Sequence, residues 1–115
     1  MSEAHALPPQ TRIVRVTVEP GICGLPCRIH ARWESRWSAG LAIQSDCQKM
    51  QRLAGHLEGI TMRELLSPVS RNPIFRLAEQ EGCHPSCPVP AAIAKAAEVA
   101  LELALPKEVT IRFQL

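Results

Sequence analysis

Residues 27–43, CRIHARWESRWSAGLAI, decide the fold, because two runs of alternating side chains flank a short polar turn. The first run, 27–33, sends apolar and basic side chains in opposite directions: Ile29, Ala31 and Trp33 against Arg28, His30 and Arg32. The second run, 37–43, places Trp37, Ala39, Leu41 and Ile43 on one side. Alternation with a period of two is typical of strands with one buried face and one wet face. The stretch therefore predicts an antiparallel hairpin.

Two further runs alternate in the same way. Residues 12–18 place Val14, Val16 and Val18 on one face, and Pro20-Gly21 ends the run. Together with the hairpin, this run predicts an antiparallel meander of three strands with one wet face. Residues 109–115 alternate again and predict a final strand; the apolar members are Val109, Ile111, Phe113 and Leu115.

Helical spacing replaces the alternation after residue 44. Ser45 and Gln48 match a capping box, and Thr61 with Glu64 repeats it for a short helix. Asn72-Pro73 predicts the start of another helix, which Gly82 ends.

The last helix is predicted from near Pro88 to about Ala104, and Pro106 ends it. Its apolar stripe is Val89, Ile93, Ala96, Ala97, Ala100 and Ala104. The element order β-β-β-α-α-α-β predicts an α+β two-layer sandwich, with helices on one face of a four-stranded mixed sheet.

The composition limits the classes of protein. We predict one domain over residues 12–115, after a flexible lead-in of residues 1–11. The net charge of +2 is small and scattered, which argues against a nucleic-acid partner. No apolar run reaches about 18 residues and no signal-peptide pattern is present, so we expect no membrane and a cytoplasmic protein. A protein partner and the oligomeric state are left open.

Five cysteines in a reducing compartment favour ligands or reactive thiols over disulfides. The stretch 82–90, GCHPSCPVP, places Cys83, His84 and Cys87 just before the last helix. Cys23, Cys27 and Cys47 also fall at predicted element ends. The first and third strands of a meander end at the same edge, so we expect these three thiols there. The sequence does not determine whether residues 83–87 reach that edge too.

Sulfur-rich ligands select Zn²⁺, iron–sulfur clusters or Cu(I) over hard cations. We predict a metal site built from Cys23, Cys47 and Cys87, and completed by His84, Cys83 or Cys27. Its cofactor would be an iron–sulfur cluster or zinc. The Cys-x3-Cys and Cys-His-x2-Cys spacings match neither the common zinc ribbons nor the ferredoxin runs. Composition and placement therefore support the site, while the spacing leaves its identity open.

Several segments together resemble a known family. They are Cys23-Gly24, Ser45-Asp46-Cys47, His84-x-x-Cys87-Pro88-Val89-Pro90 and Leu103-Ala104-Leu105-Pro106-Lys107. The chain is similar, over most of residues 12–115, to a family of small uncharacterised prokaryotic proteins, largely from anaerobes, that share a domain of unknown function. The resemblance implies that Cys23, Cys47, His84 and Cys87 are the motif positions and that Cys27 and Cys83 are extras. An anaerobic setting would favour iron–sulfur.

Two alternatives use the same cysteines differently. In a thiol redox protein, Cys47 at a helix start would attack, and Cys87 or Cys23 would resolve the mixed disulfide. In a partner-binding module the cysteines would only pack. No catalytic triad order, phosphate loop or paired-carboxylate motif stands out, so the sequence does not decide whether the protein is an enzyme.

Overall fold

The sheet contains the three strands of the predicted meander. A computed structural model describes residues 13–115, so the predicted lead-in of residues 1–11 lies outside the described residues. The strands are β1 (Ile13–Val18), β2 (Cys27–Ser35), β3 (Ser38–Ser45) and β4 (Gly59–Thr61). They lie in the order β1-β2-β3-β4, and every neighbouring pair is antiparallel. The α+β class is confirmed, but the sheet is antiparallel and not mixed.

The alternation correctly predicted which side chains of the hairpin are buried. In β2, Ile29 and Ala31 are fully buried, whereas the basic side chains between them are exposed. Trp37 is an exception, because it is 61% exposed and not on the inner face. Ser35 pairs with Ser38, so Trp37 lies in the two-residue turn, outside the sheet, beside the guanidinium of Arg36.

The fourth strand is not the predicted one. Residues 109–115 form no strand in the structure, and their side chains are exposed. The fourth position is taken by β4, which pairs with Ser38–Gly40. Three residues are too few to show a period of two, which is why the sequence pattern did not reveal β4.

Four helices follow the meander: α1 (Gln48–Gly55), α2 (Met62–Leu65), α3 (Pro73–Gln80) and α4 (Val89–Ala100), with a 3₁₀ turn at Val69–Arg71. The capping box of Thr61 with Glu64 is present, and the Asn72 side chain accepts a hydrogen bond from the Ile74 N–H. Both predicted helix starts are therefore confirmed.

Two other helix ends differ from the prediction. The α1 N-cap is Cys47, so the box of Ser45 and Gln48 does not form. Helix α4 is capped by Pro88 and ends at Ala100, before the predicted end near Ala104. Glu102 then adopts φ +62°, which turns the chain out of the helix and leaves Ala104 exposed.

The helices cover one face of the sheet, and the core lies between the two layers. Helix α4 packs on β1 and β2, and α1 packs on β3. Five of the six residues predicted for the apolar stripe of α4 are buried: Val89, Ile93, Ala96, Ala97 and Ala100. Within residues 13–115, no helix has the length and apolar character needed to cross a membrane.

Candidate functional site

Two cysteines, Cys27 and Cys47, lie at the end of the sheet where the strands β1 and β3 end and the strand β2 begins. Cys27 is the first residue of β2, and its backbone lies opposite Ser45, the last residue of β3. Opposed residues of an antiparallel pair have Cα atoms roughly 5 Å apart. Ser45 Oγ donates to the Pro26 carbonyl at 3.0 Å and accepts from the Cys47 N–H at 3.1 Å. This hydroxyl therefore ties Cys47 to the start of the strand that carries Cys27.

Two more cysteines, Cys83 and Cys87, lie in the tight loop between α3 and α4. Gly82 adopts φ +73°, a conformation that glycine reaches without a Cβ clash. Its N–H donates to the Glu79 carbonyl at 3.0 Å, and the Cys83 N–H donates to the Ala78 carbonyl at 2.9 Å. These two bonds form a Schellman motif, which turns the chain back at Cys83.

A second turn follows at once. The Cys87 N–H donates to the carbonyl of His84 at 3.0 Å, and Pro88 then caps α4. The loop therefore reverses twice within a few residues. Both Cys83 and Cys87 are half-buried and pack against the core.

Charged residues of α1 lie beside this loop. The Nε of Arg52 is 2.6 Å from an Oε1 oxygen of Glu81, an ion pair that joins α1 to the end of α3. The Lys49 ammonium lowers the pKa of Cys83, although the net shift of that thiol is upward. Helix α1, whose N-cap is Cys47, is therefore also joined to the start of the loop by this ion pair.

Electrostatic interactions connect Cys47 and Cys87 with both Cys27 and Cys83. Burial, together with the smaller effects of the Cys87 and Cys47 thiolates, raises the pKa of Cys27 to about 11. Burial also raises the pKa of Cys83, and the same two thiolates add to the shift. Cys47 and Cys87 therefore lie within electrostatic range of both partners. We call Cys27, Cys47, Cys83 and Cys87 the thiol cluster.

The thiol cluster has a buried base and a more accessible rim. Cys27 is fully buried, whereas Cys47, Cys83 and Cys87 are half-buried. All of them are free thiols. Within the described part of the chain, no three His, Cys, Asp or Glu side chains stand in an arrangement that could hold a metal ion as they are.

The two remaining predicted ligands lie outside the thiol cluster. Cys23 is exposed in the β1–β2 loop and does not contribute to the pKa shift of Cys27 or Cys83. Gly24 closes a turn there by donating to the Gly21 carbonyl at 3.0 Å. The His84 side chain is exposed as well. Cys27 and Cys83, which the resemblance implies are not motif positions, thus belong to the thiol cluster. Cys23 and His84, which it implies are motif positions, are exposed.

Sequence signals for Cys27 and Cys83 did exist. Cys27 has the same phase as Ile29 and Ala31, so extending the alternation back by one step predicts a buried thiol. Cys83 directly follows the glycine that ends α3, a position whose side chain commonly packs back on the helix. Neither signal says that the two thiols share a site, because that depends on the path of the chain between them.

Comparison with known proteins adds a family but no activity. Residues 14–113 match a family of unknown function (DUF6951). No curated protein and no solved structure matches the chain. Because the match covers most of the sequence, the chain belongs to that family.

Proposed function

We propose that this member of the DUF6951 family binds one thiophilic metal centre, zinc or an iron–sulfur cluster, through Cys27, Cys47, Cys83 and Cys87. The observation that carries the proposal is that Cys47 and Cys87, from different segments of the chain, both interact electrostatically with Cys27 and with Cys83. Soft thiolates favour these metals over hard cations. Four-thiolate sets occur both in structural zinc sites and around iron–sulfur clusters.

The electrostatics of the thiol cluster support a cationic occupant. Burial raises the pKa of Cys27 and of Cys83, and the thiolates of Cys47 and Cys87 raise both values further. A bound metal cation reverses this balance, because it deprotonates the thiols that coordinate it. The repulsion that opposes ionisation of the metal-free cluster becomes attraction in the metal complex.

Binding would require the rim of the thiol cluster to close. Metal–sulfur bonds are about 2.3 Å long, and the side chains do not hold a metal as they stand. Cys27 is held in a strand, whereas Cys83 and Cys87 lie in the loop between α3 and α4. We therefore expect the loop to adjust while the strand stays in place.

The decisive experiment is elemental analysis with an absorption spectrum of protein purified under argon. A zinc site predicts one zinc per chain and no colour, whereas a cluster predicts iron, sulfide and charge-transfer absorption. Serine variants of Cys27, Cys47, Cys83 and Cys87 should each lose most of the bound metal. Cys23→Ser and His84→Ala are the matched controls and should keep it.

Two results would contradict the proposal. One is protein that contains neither metal at stoichiometric amounts and takes up neither on reconstitution. The other is full metal content in the four serine variants. Loss of metal in Cys23→Ser would instead assign a ligand outside the thiol cluster.

A thiol redox role is the second candidate function. The raised pKa values of Cys27 and Cys83 lower their fraction of reactive thiolate at neutral pH. The attacking thiol would then be Cys47, and Cys87 or the exposed Cys23 would resolve the mixed disulfide. Loss of bound metal in the serine variants of all four cysteines would favour the metal centre over the redox role.

A further inference from the structure

The segment 109–115 has the pattern of a strand but no partner within the described chain. Its apolar side chains are largely exposed to solvent: Val109 is 61%, Ile111 75% and Phe113 88% exposed. Thr110, Arg112 and Gln114 alternate with them. No backbone group of this segment is hydrogen-bonded to another described residue. An alternating segment of this kind stabilises a structure only when one of its faces is covered.

The same chain has an open sheet edge of matching length. Strand β1 pairs with β2 over all six of its residues, and no other described strand pairs with its second edge. Its inner face is also incompletely covered. Val14 and Val16 are only half-buried, whereas Ile29 opposite Val16 on β2 is fully buried. Unpaired edges of this kind are templates for another strand.

We infer that residues 109–115 add as a strand to the β1 edge of a second copy of this chain, and that the second copy does the same in return. Both partners alternate with a period of two, and both have one apolar and one polar face. An added strand would place Ile111 and Phe113 beside Val14 and Val16. The backbone groups of both edges would then pair, as in β-augmentation.

A second copy is the occupant that the chain itself supports. Each chain contains both the segment that would be added, residues 109–115, and the β1 edge that would receive it. A two-fold dimer would therefore pair both segments with both β1 edges at once. The match to the family extends from residue 14 to residue 113, so most of β1 and most of residues 109–115 lie within the matched region. The chain leaves α4 through the positive φ of Glu102, and the segment does not return to its own sheet.

The mass of the full chain in solution tests this inference. Light scattering after size-exclusion chromatography should give twice the chain mass of 12.7 kDa. Hydrogen exchange should show protection of residues 109–115 and of the β1 amides that face away from β2. Both sets should lose protection when the protein is diluted below its dissociation constant, whereas the β1 amides bonded to β2 should keep theirs. The dimer should persist with chelator present, so it does not depend on the proposed metal centre.

Two aspartate variants on opposite faces of the segment provide the matched pair. Ile111→Asp should weaken dimerisation at least about tenfold, because it would bury a charge at the new interface. Thr110→Asp lies on the polar face and should leave the dimer intact. Both residues are exposed in the monomer, so both variants should fold, which circular dichroism would check.

Three outcomes would overturn the inference. A monomer with unprotected segment amides would show that the segment stays unpaired. A monomer with protected amides would show that the segment pairs within its own chain. A dimer that Ile111→Asp leaves unchanged would place the interface elsewhere.

Discussion

Cys27 combines a core position with a group that can ionise. It is fully buried at the start of β2, so its neutral form packs as a small apolar side chain. Its thiolate would be poorly solvated and close to two further thiols, which is why its pKa rises to about 11. The residue is thus compatible with the core only as a thiol or as a metal ligand.

The raised pKa of Cys27 predicts how the stability of metal-free protein depends on pH. The native state holds this proton more tightly than the unfolded chain, whose thiol value is 9.0. Its contribution to stability is therefore fully present below about pH 9 and is lost as the pH rises towards 11. The loss should be on the order of 2 kcal/mol, since one pKa unit corresponds to about 1.4 kcal/mol.

Urea unfolding of reduced, chelator-treated protein between pH 7 and 11 would measure this loss. Cys27→Ala should flatten the dependence, whereas Cys23→Ala, which changes an exposed thiol, should follow the parent protein. Equal slopes for Cys27→Ala and the parent would contradict the assigned cause.

Among the elements, α2 and α3 are joined by one buried amide. Asn72 is 3% exposed, and its Oδ1 accepts from the Ile74 N–H at 2.9 Å to cap α3. Its Nδ2 donates to the carbonyls of Glu64 and Leu65 at 3.2 and 3.1 Å. One side chain therefore starts one helix and satisfies the end of the helix before it. The sequence pattern predicted only the first of these roles.

We predict that Asn72→Ala lowers the free energy of unfolding by roughly 2–3 kcal/mol, because it removes a cap and leaves a buried carbonyl without its donor. Thr61→Ala is the comparison, since it removes the exposed cap of α2 and should cost about 1 kcal/mol. Denaturant melts of the two variants would measure both. Similar losses would mean that the bonds to the end of α2 contribute little.

For the whole molecule, the proposed metal would join segments that are distant along the chain. The thiol cluster takes one residue from the start of β2, one from the start of α1 and two from the loop between α3 and α4. A ligand that binds only this assembled state stabilises the fold.

Metal removal should therefore lower the melting temperature of the protein. At a free metal concentration a thousand times the dissociation constant, binding stabilises the folded state by about 4 kcal/mol. This corresponds to a change in melting temperature of more than about 10 °C for a domain of this size. Hydrogen exchange should speed up most in residues 81–88. A chelator that strips the metal without changing either quantity would contradict a structural role for the centre.

The sequence by itself determined the meander, its buried face, the caps at Thr61 and Asn72, and the apolar stripe of α4. These features depend on local chemistry, because alternation, cap hydrogen bonds and helical spacing act between residues close in the chain. Residues 109–115 were predicted wrongly because alternation indicates that a segment suits a sheet, not that a partner strand is present. Trp37 was predicted wrongly because the alternation extends one residue beyond the start of β3 into the turn.

Only the tertiary structure decided which thiols meet. Cys27 and Cys87 are far apart in the numbering, and their electrostatic interaction depends on the turns between residues 82 and 87 and on the packing of α4 against β1 and β2. Such long-range proximity has no signature in local periodicity, because it follows from how whole elements pack. The membership of the thiol cluster could therefore be seen only once the chain was folded.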